Sequence, residues 1–329
     1  MTPRRARVGR FLLRRLAQAI LQIVCIAAID FVLLHAAPGD AADAIAGEAG
    51  TADAGYVANL RHQLGLDRPL PVQLGLYLWR LVHFDFGFSF RYGQSVAALI
   101  FDRLPATLLL MGCSIGLAVG AAIVLGSLSA RFVNTWVDRA ITLLTLVFYA
   151  TPLFWFGLMM IVVFAVKLGW LPGGGLYNVA SQATGIGFAL DVARHLILPS
   201  LTQACFFLAV YTRLVRASML EAYGADYVRF ARAKGAGELR IAIRHVLRNA
   251  LMPLLTMVGL NLGAVLGGAV LTETVFSWPG IGRLMYDAVF QRDINLLLSI
   301  LVLSSMLVIV ANLAVDLLYA VVDPTVELA

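Results

Sequence analysis

A chain of 329 residues that is 60% hydrophobic and only 13% charged has more apolar surface than a water-soluble fold of this length would bury. Its mean hydropathy of +0.86 excludes an ordinary soluble enzyme and points to an all-α polytopic membrane protein, and the alternating ten-residue strands of a β-barrel are missing. The net charge of +6 reads as topological rather than as a nucleic-acid footprint, so no nucleic-acid partner is expected.

In chain order, the N-terminus "MTPRRARVGRFLLRR" precedes an apolar run over 16–34. That run is longer than the roughly 7–15 residues of a signal-peptide core, so it predicts an uncleaved first span. Six spans are expected, at 16–37, 104–130, 140–168, 196–217, 250–272 and 295–321. Arg213 and Arg216, near the end of the fourth, are expected to snorkel to headgroups. The chain divides at about 103. Residues 1–103 hold the first span and a long connection, and 104–329 form a core of five spans. In that connection Leu74, Tyr77, Leu78 and Leu81 share a helical face, which predicts an interfacial helix with Tyr77 and Trp79 at headgroup level.

Charge orients the spans. The segments 1–15, 131–139, 212–250 and 322–329 hold 16 Lys and Arg in 71 residues, against 8 in the 115 residues of 38–103, 169–195 and 273–294. The denser side is expected to be cytoplasmic, with both termini inside. Cys25, Cys113 and Cys205 lie far apart in apolar stretches and read as packing residues.

The segment "EAYGADYVRFARAKGAGELRIAIRHVLRNA" at 221–250 is therefore a basic cytoplasmic connection. Asp226 is expected to cap a short helix with Tyr227, Phe230 and Ala231 on its apolar face. Gly235 supplies a left-handed stop, and Gly237 with Glu238 opens a second helix. That helix has an apolar stripe of Leu239, Ala242, Ile243 and Val246 and a basic one of Arg240, Arg244 and Arg248. Such order reads either as a topogenic loop on anionic lipid or as a docking element for a cytoplasmic protein. Gly112, Gly116 and Gly120, and again Gly259, Gly263 and Gly267, recur every fourth residue. Such faces pack within the chain or against a second subunit. Asp30, His35 and Asp316 are ionisable groups in or near spans; Asp30 and Asn261, beside the second glycine face, are candidates to line a translocation path. "TETVFSWPGIGR" at 272–283 is a shaped turn, and Trp278, Pro279 and Gly280 are candidates for a gate or a partner contact. There is no GxxxxGK[ST] loop, no HExxH and no GxSxG. The chain is expected to hold no cofactor, no metal and no catalytic residue of its own.

"DYVRFARAKGAGELRIAIRHVLRNALMPLLT" resembles the cytoplasmic loop of permease subunits of binding-protein-dependent ABC importers, in the dipeptide/oligopeptide/nickel branch. "PGD" at 38–40, "LGLDRPLPVQ" at 64–73, "DFGFS" at 85–89, "RLPATL" at 103–108, "GGAVLTETVFSWPGIGRL" at 267–284 and "VDLLYAVVDP" at 315–324 extend the likeness over nearly the whole chain. The broader pattern places EAA before the glycine; aligning on Gly235 puts Arg229, Phe230 and Ala231 there, and only Ala231 matches. The resemblance implies a type I importer permease fold in the bacterial inner membrane, working by alternating access. It implies a second permease, two ATPase subunits that bind ATP and Mg, a periplasmic or lipid-anchored solute-binding protein, and a surrounding of membrane lipid. By the same resemblance Tyr227, Arg229, Phe230, Ala231, Lys234, Gly235 and Arg240 couple to the ATPase. The implied substrate is a di- or oligopeptide; nickel or another small solute is the alternative. A secondary transporter or channel using Asp30 is the alternative of another class.

Overall fold

The computed structural model describes residues 3–36, 42, 46, 54–89, 91–180, 184–291 and 293–322. The motif at 38–40 lies outside them, as do the side chains of Gly263, Gly267 and Asp316. The described elements are α1 (Pro3–Ala36), α2 (Ala54–Leu64), α3 (Leu70–Val82), β1 (Phe88–Ser89), β2 (Gln94–Ser95), α4 (Val96–Arg131), α5 (Trp136–Ala150) and α6 (Leu153–Met160), which runs on as π-helical turns over Ile161–Lys167. They continue with α7 (Ile186–Tyr223), α8 (Asp226–Ala233), α9 (Glu238–Arg240), π-helical Ile241–Leu247, α10 (Arg248–Val275), α11 (Ile281–Gln291) and α12 (Ile294–Val322).

Among the described residues, five stretches are long and apolar enough to cross a membrane: Arg14–Leu33, Val96–Arg131, Ile186–Tyr223, Glu238–Asn261 and Ile294–Leu313. The sixth expected span, 140–168, is not one straight helix. Its halves α5 and α6 meet at 103°. Pro152 causes the break, because its ring pushes the preceding residue out of the helical region, and Thr151 is extended at φ −82°, ψ 129°.

The chain separates into two compact units: Met1–Arg103 with Leu284–Ala329, and Leu104–Arg283. The last span therefore groups with the N-terminal segment, whereas the sequence reading places it in the core. The reason is packing, since α12 lies along α1.

In the first unit α3 docks on the end of α1, with the Phe31 and Tyr77 rings 6.0 Å apart and His35 bonded to Gln73 at 3.1 Å. The expected helix is present, but Tyr77 is half-buried against α1 while Trp79 is exposed. The β1–β2 ribbon is pinned to the start of α12. Ser89 donates to Asp293, whose other oxygen accepts the Leu296 amide, and Asn295 donates to the Phe88 carbonyl at 3.2 Å. In the second unit the core joins Met111, Ala118 and Ala122 of α4 to Tyr211, Val215 and Met219 of α7 and Ala250 and Leu254 of α10. The close approach of α4 to α7 is at Gly126, where a Cβ would lie 2.7 Å from the Val215 Cβ. At Gly112, Gly116 and Gly120 a Cβ would meet nothing within 4 Å among the described residues, in contrast to Gly126.

Candidate functional site

The segment 221–250 folds as helix, turn and helix. Ala225, extended at φ −75°, ψ 149°, precedes α8 with no side-chain cap. Asp226 is the first helical residue and pairs with Arg229 at 3.5 Å on the exposed side, so it does not cap as expected. The buried side of α8 is also shifted. Val228 is fully buried and Ala231 half-buried, while Tyr227 is exposed and Phe230 is 69% exposed. Val228 with Ala231, three apart, faces the core. The two aromatic rings are left outward, beside Arg229 and Lys234.

Gly235 ends the helix at φ +81°. Its amide bonds the Arg232 carbonyl at 3.0 Å, and the Ala236 amide bonds the Ala231 carbonyl at 3.2 Å, which satisfies two end-of-helix acceptors. Nothing lies within 4 Å of a Cβ there, so the backbone conformation, not space, demands the glycine. Arg232 then grips Glu238 at 2.7 and 3.1 Å, tying α8 to α9 across the turn. The Glu238 carboxylate holds the Arg232 guanidinium above its usual pKa.

The second helix buries Ile241 and Val246, five residues apart, because the backbone between them is π-helical. Ala250 and Leu254 continue that buried line at ordinary spacing of four. The expected stripe of Leu239, Ala242, Ile243 and Val246 is corrected: Leu239 and Ile243 are exposed. Arg240, Arg244 and Arg248 are exposed with them. Val228, Ile241 and Val246 sit on the α4–α7 core. The result is a surface of Tyr227, Phe230, Leu239 and Ile243 among cations, built on a rigid floor. Aromatic and Arg side chains on an ordered helix are the composition that suits a partly desolvated protein interface.

A partly buried ion pair lies in the same unit. Arg216 of α7 donates from Nε and Nη2 to the two oxygens of Asp138 in α5, each at 2.8 Å. Ser129 also donates to Asp138, and so does the Asn134 amide at 3.0 Å. Asp138 is 5% exposed. The expected snorkelling of Arg216 is thus replaced by a fork-to-carboxylate pair. Arg213 donates to the Ala209 carbonyl and lies 5.8 Å over the Tyr149 ring. Asp138 sits in the first turn of α5, and no local spacing pointed to its partner.

Asp30 is 5% exposed in α1, and its Oδ2 has no hydrogen-bond partner among the described residues. The Tyr77 hydroxyl nearby is likewise unpartnered and buried. Burial first, and the Asp30 charge second, push the Tyr77 phenol up to about 12. Asn261, half-buried in α10, lies near the Tyr211 hydroxyl without a well-formed hydrogen bond. Asp30 belongs to the first unit and Asn261 to the second.

At the far end of α10, Trp278 and Gly280 are buried and Pro279 is half-buried. The Trp278 indole donates to the Ala106 carbonyl at 2.9 Å. Neither Trp278 nor Gly280 presents a surface. Both lie against Glu273, which is fully buried and which the sequence reading passed over as part of a turn.

Long apolar helices, one bent pair and an ordered basic helix–turn–helix on the connection before Arg248 are the features of a polytopic membrane protein. Comparison with known proteins makes this specific. Residues 122–328 match the family model for the binding-protein-dependent transport system inner membrane component, and 8–111 match the model for the N-terminal region of such components. The oligopeptide transport system permease protein AppB of Bacillus subtilis is 40% identical over 97% of this chain and 100% of its own length. A probable peptide ABC transporter permease of Sinorhizobium fredii is 39% identical over 97% and 100%. The inward-facing MetNI methionine ABC transporter superposes with a TM-score of 0.54 at 19% identity, covering 68% of this chain and 96% of that one. The chain belongs to the inner-membrane components of binding-protein-dependent ABC importers, and its fold is that of a type I importer permease.

Proposed function

We propose that this chain is a translocating subunit of an ATP-driven importer of di- or oligopeptides in a bacterial cytoplasmic membrane, with both termini and 212–250 on the cytoplasmic side. It works by alternating access beside a second permease subunit, fed by a solute-binding protein outside the membrane. Two ATPase subunits, which bind ATP and Mg, supply the energy. The peptide substrate is supported by the names of relatives such as the oligopeptide permease of Bacillus subtilis, which extend over nearly the whole chain. The coupling role is carried by one observation: Phe230 and Tyr227 point outward from a helix whose opposite side, at Val228, is fixed in the core. A movement of a bound ATPase would reach α7 and α10 through that rigid floor.

In this reading Tyr227, Phe230 and Arg240 touch the ATPase, Arg229 and Lys234 rim the contact, and Ala231 with Gly235 sets the helix position. Asp30 and Asn261 remain path candidates, and 278–280 shape the outer end. The test is uptake by vesicles holding the permease pair, its ATPase subunits and the loaded binding protein. Labelled oligopeptide should accumulate only with ATP, and Tyr227→Asp should abolish it. Uptake of nickel in place of peptide would change the substrate, and flux driven by a proton gradient without ATPase, lost in Asp30→Asn, would overturn the mechanism.

A further inference from the structure

Glu273, near the end of α10, is a carboxylate with no exposure. A buried carboxylate is costly unless its oxygens accept hydrogen bonds. Here both do. Thr107 donates to Oε1 at 2.7 Å, and the Arg283 amide donates to Oε2 at 2.9 Å. The Thr107 hydroxyl in turn accepts the Ile281 amide at 2.8 Å. For the ionised carboxylate the proton directions are Ile281 N–H to Thr107 oxygen and Thr107 O–H to Glu273. Ile281 and Arg283 are the first and third residues of α11, whose opening amides have no partner in their own helix. A carboxylate from α10 and a hydroxyl from α4 supply the missing acceptors.

The turn between them is built around this carboxylate. A Cβ at Gly280 would fall 2.1 Å from a Glu273 oxygen, and one at Gly282 would fall 2.7 Å from the Val270 Cα. The Trp278 amide bonds the Glu273 carbonyl at 2.8 Å, and its indole reaches Ala106, the residue before Thr107. Arg283 closes the loop on the Ser277 carbonyl at 2.8 Å, and the Gly175 amide joins the Phe276 carbonyl at 2.8 Å. One charged group thus fastens α4, α10 and the start of α11 into a single piece, a task that an apolar residue of the same volume could not perform.

We propose that Glu273, acting through Thr107, is a positioning residue for transport. It locks the 276–283 turn to α4 and α10 so that the outer end of this unit moves as one body when loaded binding protein engages. This rests on the import reading above. The polarity of the relay gives a specific test, because Thr107→Val keeps the shape and removes the hydroxyl, whereas Thr107→Ser keeps the hydroxyl.

The assembled importer in lipid nanodiscs is compared for wild type, Thr107→Val and Thr107→Ser. Three quantities are read: amide hydrogen exchange over 279–284, basal ATPase rate, and ATPase rate with peptide-loaded binding protein. Thr107→Val should exchange faster at 281–283, keep its basal rate and lose about tenfold or more of the stimulated rate, since both hydrogen bonds of the hydroxyl go with it. Thr107→Ser should match wild type in all three. Unchanged exchange in Thr107→Val would remove the lock. Faster exchange with full stimulation would leave it without a role in transport. A wild-type complex that no peptide-loaded binding protein stimulates would instead sink the import reading, and the exchange data would still report the lock.

Discussion

Arg216 and Asp138, on helices far apart in sequence, meet through two parallel hydrogen bonds of 2.8 Å each. With Ser129 and the Asn134 amide, the carboxylate has a donor for each direction that it can accept from. Removing Arg216 strands a buried negative charge. Arg216→Ala should therefore cost about 3 kcal/mol. Arg216→Lys should lose less, because it keeps the charge but not the fork. Thermal unfolding in detergent reads both, and an unchanged midpoint for Arg216→Ala would show that the pair contributes nothing. Replacing both partners by leucine should recover part of the loss, since no charge is then left unpaired.

The orientation of α8 separates stability from coupling. Val228 is fully buried and Phe230 is 69% exposed. Val228→Ala should destabilise the permease by about 1–2 kcal/mol through lost methyl burial. Phe230→Ala should leave the unfolding midpoint within about 0.5 kcal/mol of wild type. If the aromatic face seats the ATPase, Phe230→Ala should nevertheless lower the amount of ATPase that co-purifies. The reverse pattern, an unstable Phe230→Ala that retains its ATPase, would put the partner elsewhere.

Periodicity carried most of the fold. The spans, the interfacial helix and the stop at Gly235 follow from runs of apolar residues and from one residue type that tolerates positive φ. Three features escaped for distinct reasons. The 103° break at Thr151 lies inside the expected span 140–168, whose apolar run continues unbroken across Pro152. The buried line from Ile241 to Val246 steps by five, so a search at steps of three and four landed on Ile243, which is exposed. Asp138 and Glu273 each find their partners on other helices, and local spacing in a single chain holds no trace of such pairs.

Tyr77 offers a pH test outside the spans. Its phenol is pushed up to about 12 by burial and then by Asp30. The folded state thus favours the neutral phenol. Its contribution is intact below the ordinary tyrosine range and is lost as pH rises from about 10 through about 12. Tyr77→Phe deletes a hydroxyl that has no partner among the described residues, so it should not destabilise at neutral pH. It should also flatten the alkaline decline. The wild-type and variant unfolding midpoints between pH 9 and 12 decide this; parallel curves would mean that Tyr77 ionises freely.

The glycines of α4 give substitutions of opposite sign within one helix. Gly112, Gly116 and Gly120 form the conspicuous four-residue repeat, yet a Cβ on any of them meets nothing within 4 Å. Gly126 stands outside that repeat, and there a Cβ would lie 2.7 Å from the Val215 Cβ and 2.9 Å from the Thr212 carbonyl oxygen. The backbone oxygen cannot rotate away, so α4 and α7 would have to separate. Gly126→Ala should cost about 1–3 kcal/mol by overpacking. Gly116→Ala should raise stability by up to about 1 kcal/mol, through helix propensity alone. Paired unfolding curves for the two variants of the purified permease separate these expectations. A destabilised Gly116→Ala in the isolated chain would show that the repeat packs internally after all, and a neutral Gly126→Ala would mean that the α4–α7 crossing is looser than its interatomic distances require.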